Sequence, residues 1–459
     1  MSPAGQTRRT RPRDRTGAEA RYATVLSALQ ARGRYGIRLG LGRTRILLEA
    51  MGSPQLALRG PLIGGTNGKG SVQAIVAACL AAAGYRVGQT PKPHLVSYRE
   101  RILVGGRPIA PGDFASLVGE VLAAAERVAS RSGPPTEFEV LTVAALTWFA
   151  RRDVEVAVVE VGLGGRLDAT NAWDGGVAAI TNVQFDHMAQ LGPSLAAIGR
   201  EKAAIIKRGD LAVTGAEGDG LAAIRRRARR LGVHLEEVAP LAVRRMDRRG
   251  LWLHDEVLGD FRLALLGRHQ AANAAVALAV LRALGRAGLA DVPAAAVRAG
   301  CAAVRWPGRL ELLRPPMGLA VGLEVVLDGA HNAAGAAALA AALDEIRPSL
   351  SPGRPTLLLG MMADKQIDRI VRVLAGSTAL GGAHVVTTAV DVPRALAAEV
   401  LAMAWGSVAS APAEPVASPE AALRRALDVA RAACGPLIVA GSLYLVGEIR
   451  GLLLPADRP

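Results

Sequence analysis

Cysteine is nearly absent from this chain: three residues in 459, Cys79, Cys301 and Cys434, with no CxxC pair among them. That spacing offers neither a zinc site nor the disulfide framework of a small secreted domain. Cys79, set in an apolar helical stretch, reads as a small core residue. Aromatic residues are scarce as well, at 3%, so no rings interleave with basic side chains to stack nucleic-acid bases. The longest apolar runs, such as residues 74–85, fall short of the roughly 20 residues that span a bilayer. Nor does an apolar segment follow Arg8, Arg9, Arg11, Arg13 and Arg15, so the start lacks the form of a signal peptide. These absences predict a cytoplasmic protein with no membrane and no nucleic-acid partner. Residues 1–17 are expected to be a disordered, solvated basic tail.

Lysine is the other scarcity. Only five of the 55 basic residues are lysines: Lys69, Lys92, Lys202, Lys207 and Lys365. Where any positive charge would serve, this chain uses arginine, so a retained lysine points to a need for a compact ammonium or a modifiable amine. The net charge of +15 is scattered, which suits anionic small molecules such as nucleotides or polyglutamates.

Apolar residues make up 51% of the chain, enough for two or three packed domains. Residues 18–51 read as helical. A short apolar strand at Pro61–Gly64 runs into the glycine-rich turn 65–71, and a helix follows with Gly84 at its expected end. Further strand-like runs at 154–161 and 177–183, a helix at 194–207, short strands within 239–266 and a helix at 268–287 complete a first unit. Beyond Pro307-Gly308 and Pro315-Pro316, strands at 323–327, 356–359, 384–388 and 436–440 form a second. Such alternation predicts an α/β fold of right-handed βαβ units. The expected architecture is an N-terminal P-loop ATPase-type domain over residues 18–308 with a mainly parallel sheet. A smaller Rossmann-like α/β domain over 309–459 and a cleft between the two complete it.

Four groups of residues carry chemistry. In the turn Gly65-Thr66-Asn67-Gly68-Lys69-Gly70-Ser71, glycines let backbone N–H groups face phosphate oxygens, and Lys69 would reach the β- and γ-phosphates. The spacing departs from GxxxxGK[ST], and a plain tight turn is the alternative. Glu160 ends a buried strand beside that turn, where a Mg²⁺ ligand belongs, although a solvated strand end would look the same. Asp186-His187 ends the next strand, and Lys202 lies on the helix after it. An ammonium beside two cations would be repelled, whereas a lysine carbamylated by CO₂ would act as a carboxylate ligand. Finally Asn273, Arg309, Asp328 and His331 cluster about the domain boundary, and Asp328 at a strand end suits a cleft-facing site as well as it suits a turn or helix cap.

Taken together these residues resemble the folylpolyglutamate synthase/dihydrofolate synthase branch of the Mur-type ligases. The matching segments are GTNGKGS at 65–71, RERI at 99–102, EVGLGGRLDATN at 160–171, TNVQFDH at 181–187, REKAAIIK at 200–207, LDGAHN at 327–332 and VAGSLYLVGEIR at 439–450. The resemblance implies that Lys69 and its loop cradle the triphosphate. It makes Glu160 and His187 ligands of two Mg²⁺ ions, Lys202 a carbamate, and Asn273, Arg309 and Asp328 nucleotide contacts. Phe138 and Asp168 would line the pteridine pocket, and His331 would face the active site from the second domain. Two segments depart from the family pattern. Family members place a serine that helps hold one Mg²⁺ where Thr90-Pro91-Lys92-Pro93-His94-Leu95 puts Lys92, which is expected to contact phosphate instead. A segment that in the family carries two acids reads Ile37-Arg38-Leu39-Gly40-Leu41-Gly42-Arg43.

The activity implied is ATP-dependent ligation of L-glutamate to dihydropteroate or a (poly)glutamylated folate through an acyl phosphate, by a monomer. The rivals are another Mur-type amino-acid ligase and a P-loop ATPase or regulator that makes no bond.

Overall fold

Short runs of Val, Ala and Ile without polar alternation form strands covered on both faces, and the first sheet is built of such runs. The structure, a computed structural model, describes residues 12–36, 38–313, 322–409 and 411–454. Its first sheet contains β1 (Gly60–Gly64), β2 (Val87–Thr90), β3 (Leu103–Val104), β4 (Arg107–Pro108), β5 (Val156–Glu160), β6 (Gly176–Ile180), β7 (Leu211–Thr214) and β8 (Leu235–Glu237). Their order is β4-β3-β2-β5-β1-β6-β7-β8, with neighbours parallel except at the antiparallel pairs β2–β3 and β3–β4. Alternate residues divide between two cores. Leu62, Ala157, Val159, Ala178 and Ile180 pack with Phe114, Val118, Val140 and Phe149. Ile63, Val156, Val158, Val177 and Ala179 pack with Val72, Ile75 and Val276 on the opposite face, the period of two that a strand imposes.

A three-stranded antiparallel sheet follows, β9 (Ala242–Asp247), β10 (Gly250–Asp255) and β11 (Gly259–Leu263). The second α/β unit contains β12 (Glu311–Leu313), β13 (Val325–Leu327), β14 (Thr356–Leu359), β15 (His384–Thr388), β16 (Ala413–Val416) and β17 (Leu437–Ala440), in the order β12-β13-β17-β14-β15-β16. Only β12 runs antiparallel. The predicted strands therefore stand within three residues of where the apolar runs put them.

The N-terminal region differs from expectation. A helix spans Pro12–Gln30, so ordered structure begins inside the stretch expected to be a disordered tail to residue 17; residues 1–11 lie outside the described residues. Proline suits the first helical position. The helix is docked by its apolar side chains: Leu29 is fully buried and the Tyr22 ring meets Phe114 edge-on at 5.1 Å. The single helix expected over 18–51 is two, broken by a 3₁₀ turn at Ala31–Tyr35 and resuming at Gly42–Ala50. Arg43, in the segment that lacks the family's two acids, pairs with buried Glu139 at 3.0 Å.

The two α/β units touch through Leu95. A Cβ at Gly447, on the helix Leu443–Leu453, would lie 1.9 Å from the Leu95 carbonyl oxygen, so only glycine fits there. Among the described residues no helix is long and apolar enough to cross a membrane.

Candidate active site

The parallel strands β5, β1 and β6 end side by side, with Ile63 level with Glu160 and Gly64 with Ile180. From β1 the chain crosses by the helix Lys69–Ala82 to β2, beyond β5, whereas β6 lies on the other side. The crevice at such a switch point, outside the carboxyl ends of the strands, is where ligands bind in open α/β sheets. Here it opens into a cleft of about 740 Å³ walled by both α/β units.

The glycine-rich turn forms the floor. Gly65 (φ +141) and Gly68 (φ +81) occupy backbone conformations that L side chains rarely adopt. The space beside each is also filled, by Thr181 Oγ1 and by Asn273 Oδ1, which a Cβ would meet at 1.8 and 2.1 Å. The segment after β6 braces the loop further: Thr181 Oγ1 donates to the Asn67 carbonyl at 2.6 Å and the Asn67 N–H donates to Asn182 Oδ1 at 3.0 Å. The Lys69 ammonium folds over its own loop, donating to the Thr66 and Gly65 carbonyls at 3.0 and 3.2 Å. Burial lowers its pKa, with Glu160 opposing the shift. Ser71 accepts from Gln270 Nε2 at 3.3 Å, and Asn273 Nδ2 donates to Gln270 Oε1 at 2.8 Å. The start of the helix Gln270–Arg286 thus locks the phosphate loop from behind.

Glu160 is buried at the end of β5. Its N–H donates to Thr90 Oγ1 at 3.2 Å and its Oε2 accepts the Lys92 backbone N–H at 3.1 Å. Burial raises its pKa, partly offset by Lys69 and Lys92. The Lys92 side chain borders the same cleft as the phosphate loop and lies against Phe138. Its Nζ is buried, 4.2 Å from the Phe138 ring centroid, and has no hydrogen-bond partner among the described residues. Burial pulls its pKa down to about 8.

Lys202 is buried, with Nζ donating to the Gly65 carbonyl at 2.8 Å. Burial, reinforced by the charge of Lys69, pulls its pKa down to about 7. His187 is exposed at φ +50, with Nε2 3.9 Å from Asp186 Oδ2. Glu160, His187 and Lys202 all border the cleft. Yet among the described residues no three His, Cys, Asp or Glu side chains converge as a metal site. Mg²⁺ commonly takes one or two carboxylates and completes its octahedron with phosphate oxygens and water. Buried Glu160 beside the Lys69 loop fits that pattern for one nucleotide-borne ion.

From the second unit come Arg309, Asp328, His331 and Asn332. Asp328 is buried and holds its loop, accepting from the Leu310 and Ala330 N–H groups at 2.8 Å each. Burial raises its pKa while Arg309 opposes the rise. The His331 Nδ1 bonds the Gly329 carbonyl at 2.8 Å, which fixes the proton there and leaves Nε2 as an acceptor. Burial holds its pKa down at about 4, so the ring is neutral at pH 7. Asn332 caps the next helix through Gly335 N–H at 2.8 Å. Its Nδ2 also reaches across the cleft to Asn67 Oδ1 at 3.2 Å and Asp186 Oδ2 at 3.4 Å. Lys365 Nζ joins Asp186 Oδ1 at 3.5 Å. Burial alone would raise the Asp186 carboxyl, but His187, Lys365 and His331 outweigh it and hold the pKa below the usual value.

Asp168, expected on the pteridine side, is held within its own turn. Its Oδ2 accepts from the Gly162 and Leu163 N–H groups and its Oδ1 from the Thr170 N–H and hydroxyl, at 2.6–3.0 Å. A carboxylate has about four acceptor positions, so this one is fully used in shaping the 162–170 turn. Phe138 does face the cleft, its ring edge against Gly162.

Residues 63–281 match the Mur ligase middle domain and residues 308–443 the Mur ligase glutamate ligase domain. The chain is 30% identical over 452 residues to the dihydrofolate synthase/folylpolyglutamate synthase of Bacillus subtilis, covering 94% of this chain and 98% of that protein. It is 39% identical over 394 residues to the Mycobacterium tuberculosis protein of the same name, 80% of this chain and 77% of that one. Its structure matches M. tuberculosis folylpolyglutamate synthase complexed with ADP at TM-score 0.84 and 33% identity, covering 96% and 99% of the two chains. The chain belongs to the dihydrofolate synthase/folylpolyglutamate synthase family of Mur-type ligases.

For a ligase of this family, sequence reasoning left several cleft residues without a role. Thr181, Asn182 and Gln270 brace the phosphate loop, Asn332 and Lys365 tie the two walls, and Arg101 lines the cleft near Lys92 and Phe138. Thr181, Asn182, Arg101 and Asn332 lie within the segments TNVQFDH, RERI and LDGAHN, and Lys365 is one of five lysines in an arginine-rich chain, so Gln270 alone left no signal.

Proposed function

We propose that this ligase couples ATP cleavage to joining L-glutamate onto the carboxylate of dihydropteroate or of a folate that already carries glutamate. The observation that carries the reading is the shared cleft, with the Lys69 loop on one wall and Arg309, Asp328 and His331 on the other. A ligase must shelter an acyl phosphate from water between binding and bond formation, and two charged walls that can close over it serve that need.

Lys69 and the start of its helix hold the β- and γ-phosphates, and Arg309 supplies a further cation from the opposite wall. The acceptor carboxylate attacks the γ-phosphorus and ADP leaves. The glutamate amine then attacks the acyl carbon and phosphate departs, with His331 Nε2 available to accept a hydrogen bond from that amine. Mg²⁺, bound with the nucleotide, supplies charge neutralisation at the transferring phosphate, and Glu160 is its protein ligand. With a pKa of about 7, Lys202 carries a sizeable fraction of free amine at neutral pH. A free amine is what adds CO₂ with loss of a proton, and we take Lys202 to be carbamylated in the working enzyme. The cleft is complete within one chain, so the working unit is the monomer, with its domains dividing after residue 308.

ADP release measured with each acceptor, with glutamate present or omitted, tests the reading. Glutamate should raise ADP formation at least tenfold, with a mono-glutamyl adduct as product. ADP release indifferent to glutamate would return the protein to the class of plain ATPases, and faster turnover with another amino acid would make it a different Mur-type ligase.

A further inference from the structure

Among the described residues two cations on one wall of the cleft, Lys92 and Arg101, form no ion pair, although Asp168 and Glu160 act on the first and Glu137 on the second from a distance. Lys92 Nζ rests on the Phe138 ring at 4.2 Å with no hydrogen-bond partner. Arg101, which shares the same wall, uses only Nε among the described residues, donating to His94 Nδ1 at 2.8 Å. His94 cannot neutralise it, since burial and Arg101 itself push that imidazole down to about 3. The carboxylates that could serve are engaged elsewhere. Asp168 has its acceptor positions filled by four protein donors, Glu160 accepts the Lys92 main chain, and Glu137 is hydrogen-bonded to Tyr98. A cation–π contact returns only part of the hydration that a buried ammonium gives up. Two adjacent cations left in this state describe a site for an anion.

The position narrows the anion's chemistry. The charges acting on Lys92 are Asp168, Glu160, Arg101 and Lys69, so it stands between the phosphate loop and the Phe138 wall. Behind it lies a small cavity lined by Phe138, four aliphatic side chains and three threonines, and Lys92, Arg101 and Phe138 also face the main cleft, where the Phe138 ring suits an apolar or aromatic body better than a free polyphosphate. A carboxylate at the end of an aromatic acceptor meets both conditions. On the folate-ligase reading above, we propose that Lys92, with Arg101 beside it, is the seat of the acceptor's reacting carboxylate. The flexible four-carbon stem lets the ammonium leave the Phe138 face for the incoming oxygen, while Arg101 offers its fork to the second oxygen. The acceptor's charge is then met by protein cations at the place where it faces the γ-phosphate.

The test compares dihydropteroate with its carboxamide, which keeps the shape and removes the charge. Both are titrated into the full-length enzyme holding Mg²⁺ and a non-hydrolysable ATP analogue. Wild type should favour the acid, and Lys92→Met should weaken the acid by at least about 30-fold, the range of a charge-assisted hydrogen bond. The amide should change less than threefold, and Lys92→Arg should restore the preference for the acid. Lys92→Gln, which keeps a polar side chain without charge, should behave as Lys92→Met and serves where the methionine variant does not fold. Equal weakening of acid and amide, or an unaltered acid affinity, overturns the assignment. Failure of the folate reading is distinct, because wild type would then bind neither compound, and the assignment would fall with it.

Discussion

Gly68→Ala is the sharpest perturbation available to the phosphate loop, because one added carbon has two separable costs. At φ +81 the alanine would sit in the left-handed region, which costs an L residue ~1–2 kcal/mol. Its Cβ would also lie 2.1 Å from Asn273 Oδ1 and 2.9 Å from Cγ, so Asn273 has to leave. Leaving breaks its 2.8 Å bond to Gln270, worth ~0.5–1.5 kcal/mol, and loosens Gln270 from Ser71. Together these come to ~1.5–3.5 kcal/mol, or roughly a 10- to 300-fold loss of ADP affinity if the loop must hold this shape to bind. Calorimetric ADP titration of Gly68→Ala, Asn273→Ser and the double variant separates the two. With Asn273 already truncated, Gly68→Ala should cost only the backbone share, leaving a coupling of ~0.5–1.5 kcal/mol between the sites. A Gly68→Ala variant within threefold of wild type, or an identical loss in both backgrounds, would refute the reasoning.

Lys202 should take up ¹³C-labelled CO₂, giving a carbamate carbon resonance that is absent in Lys202→Arg. Because only the free amine reacts, uptake should grow as pH rises through about 7 and fade below it; no labelled resonance between pH 6.5 and 8.5 would exclude the modification. Asp186→Ala removes both the Lys365 and the Asn332 contacts across the cleft. Partly buried hydrogen bonds to a charged group carry ~1.5–3 kcal/mol, so release of a fluorescent ADP analogue in stopped flow should quicken by at least fivefold. An unchanged release rate would mean that these contacts do not hold the cleft together.

The strands β5, β6, β13, β14 and β17 were legible because each is a short, mostly aliphatic run suited to burial on both faces, whereas β2 (VGQT), β8 (LEE) and β16 (AEPV) lack that pattern and went unpredicted. The phosphate loop was legible because its glycines and Lys69 are consecutive. What the sequence hid lies across long separations. Asn332 meets Asn67 at a distance of 265 residues, and no local pattern records such a pair. The same holds for Cys79 and Cys301, spaced too far apart to suggest contact yet buried with their sulfurs 3.8 Å apart. The basic tail misled for another reason: its arginines read as solvated, while Tyr22 and Leu29, which dock the helix, follow the charged stretch. Asp168 shows the limit most clearly, since composition places a carboxylate in the turn but only geometry shows its oxygens already taken.

Leu95 gives the molecule a property beyond packing. Its carbonyl lies against Gly447 of the second domain, while Glu100 fastens the Leu95, Val96 and Ser97 N–H groups at 2.7–3.0 Å. Lys92 is three residues upstream, so a shift of the helix Leu443–Leu453 against Leu95 would bear on the loop that carries it. Nucleotide and acceptor would then draw on one conformational equilibrium. Whatever factor ATP adds to the acceptor's affinity, the acceptor must return to ATP, because binding linkage is reciprocal. A small molecule wedged between Leu95 and Gly447 would sever that exchange while leaving both substrate pockets empty. It would inhibit by making each substrate indifferent to the other, and raising the concentration of either one would not relieve it.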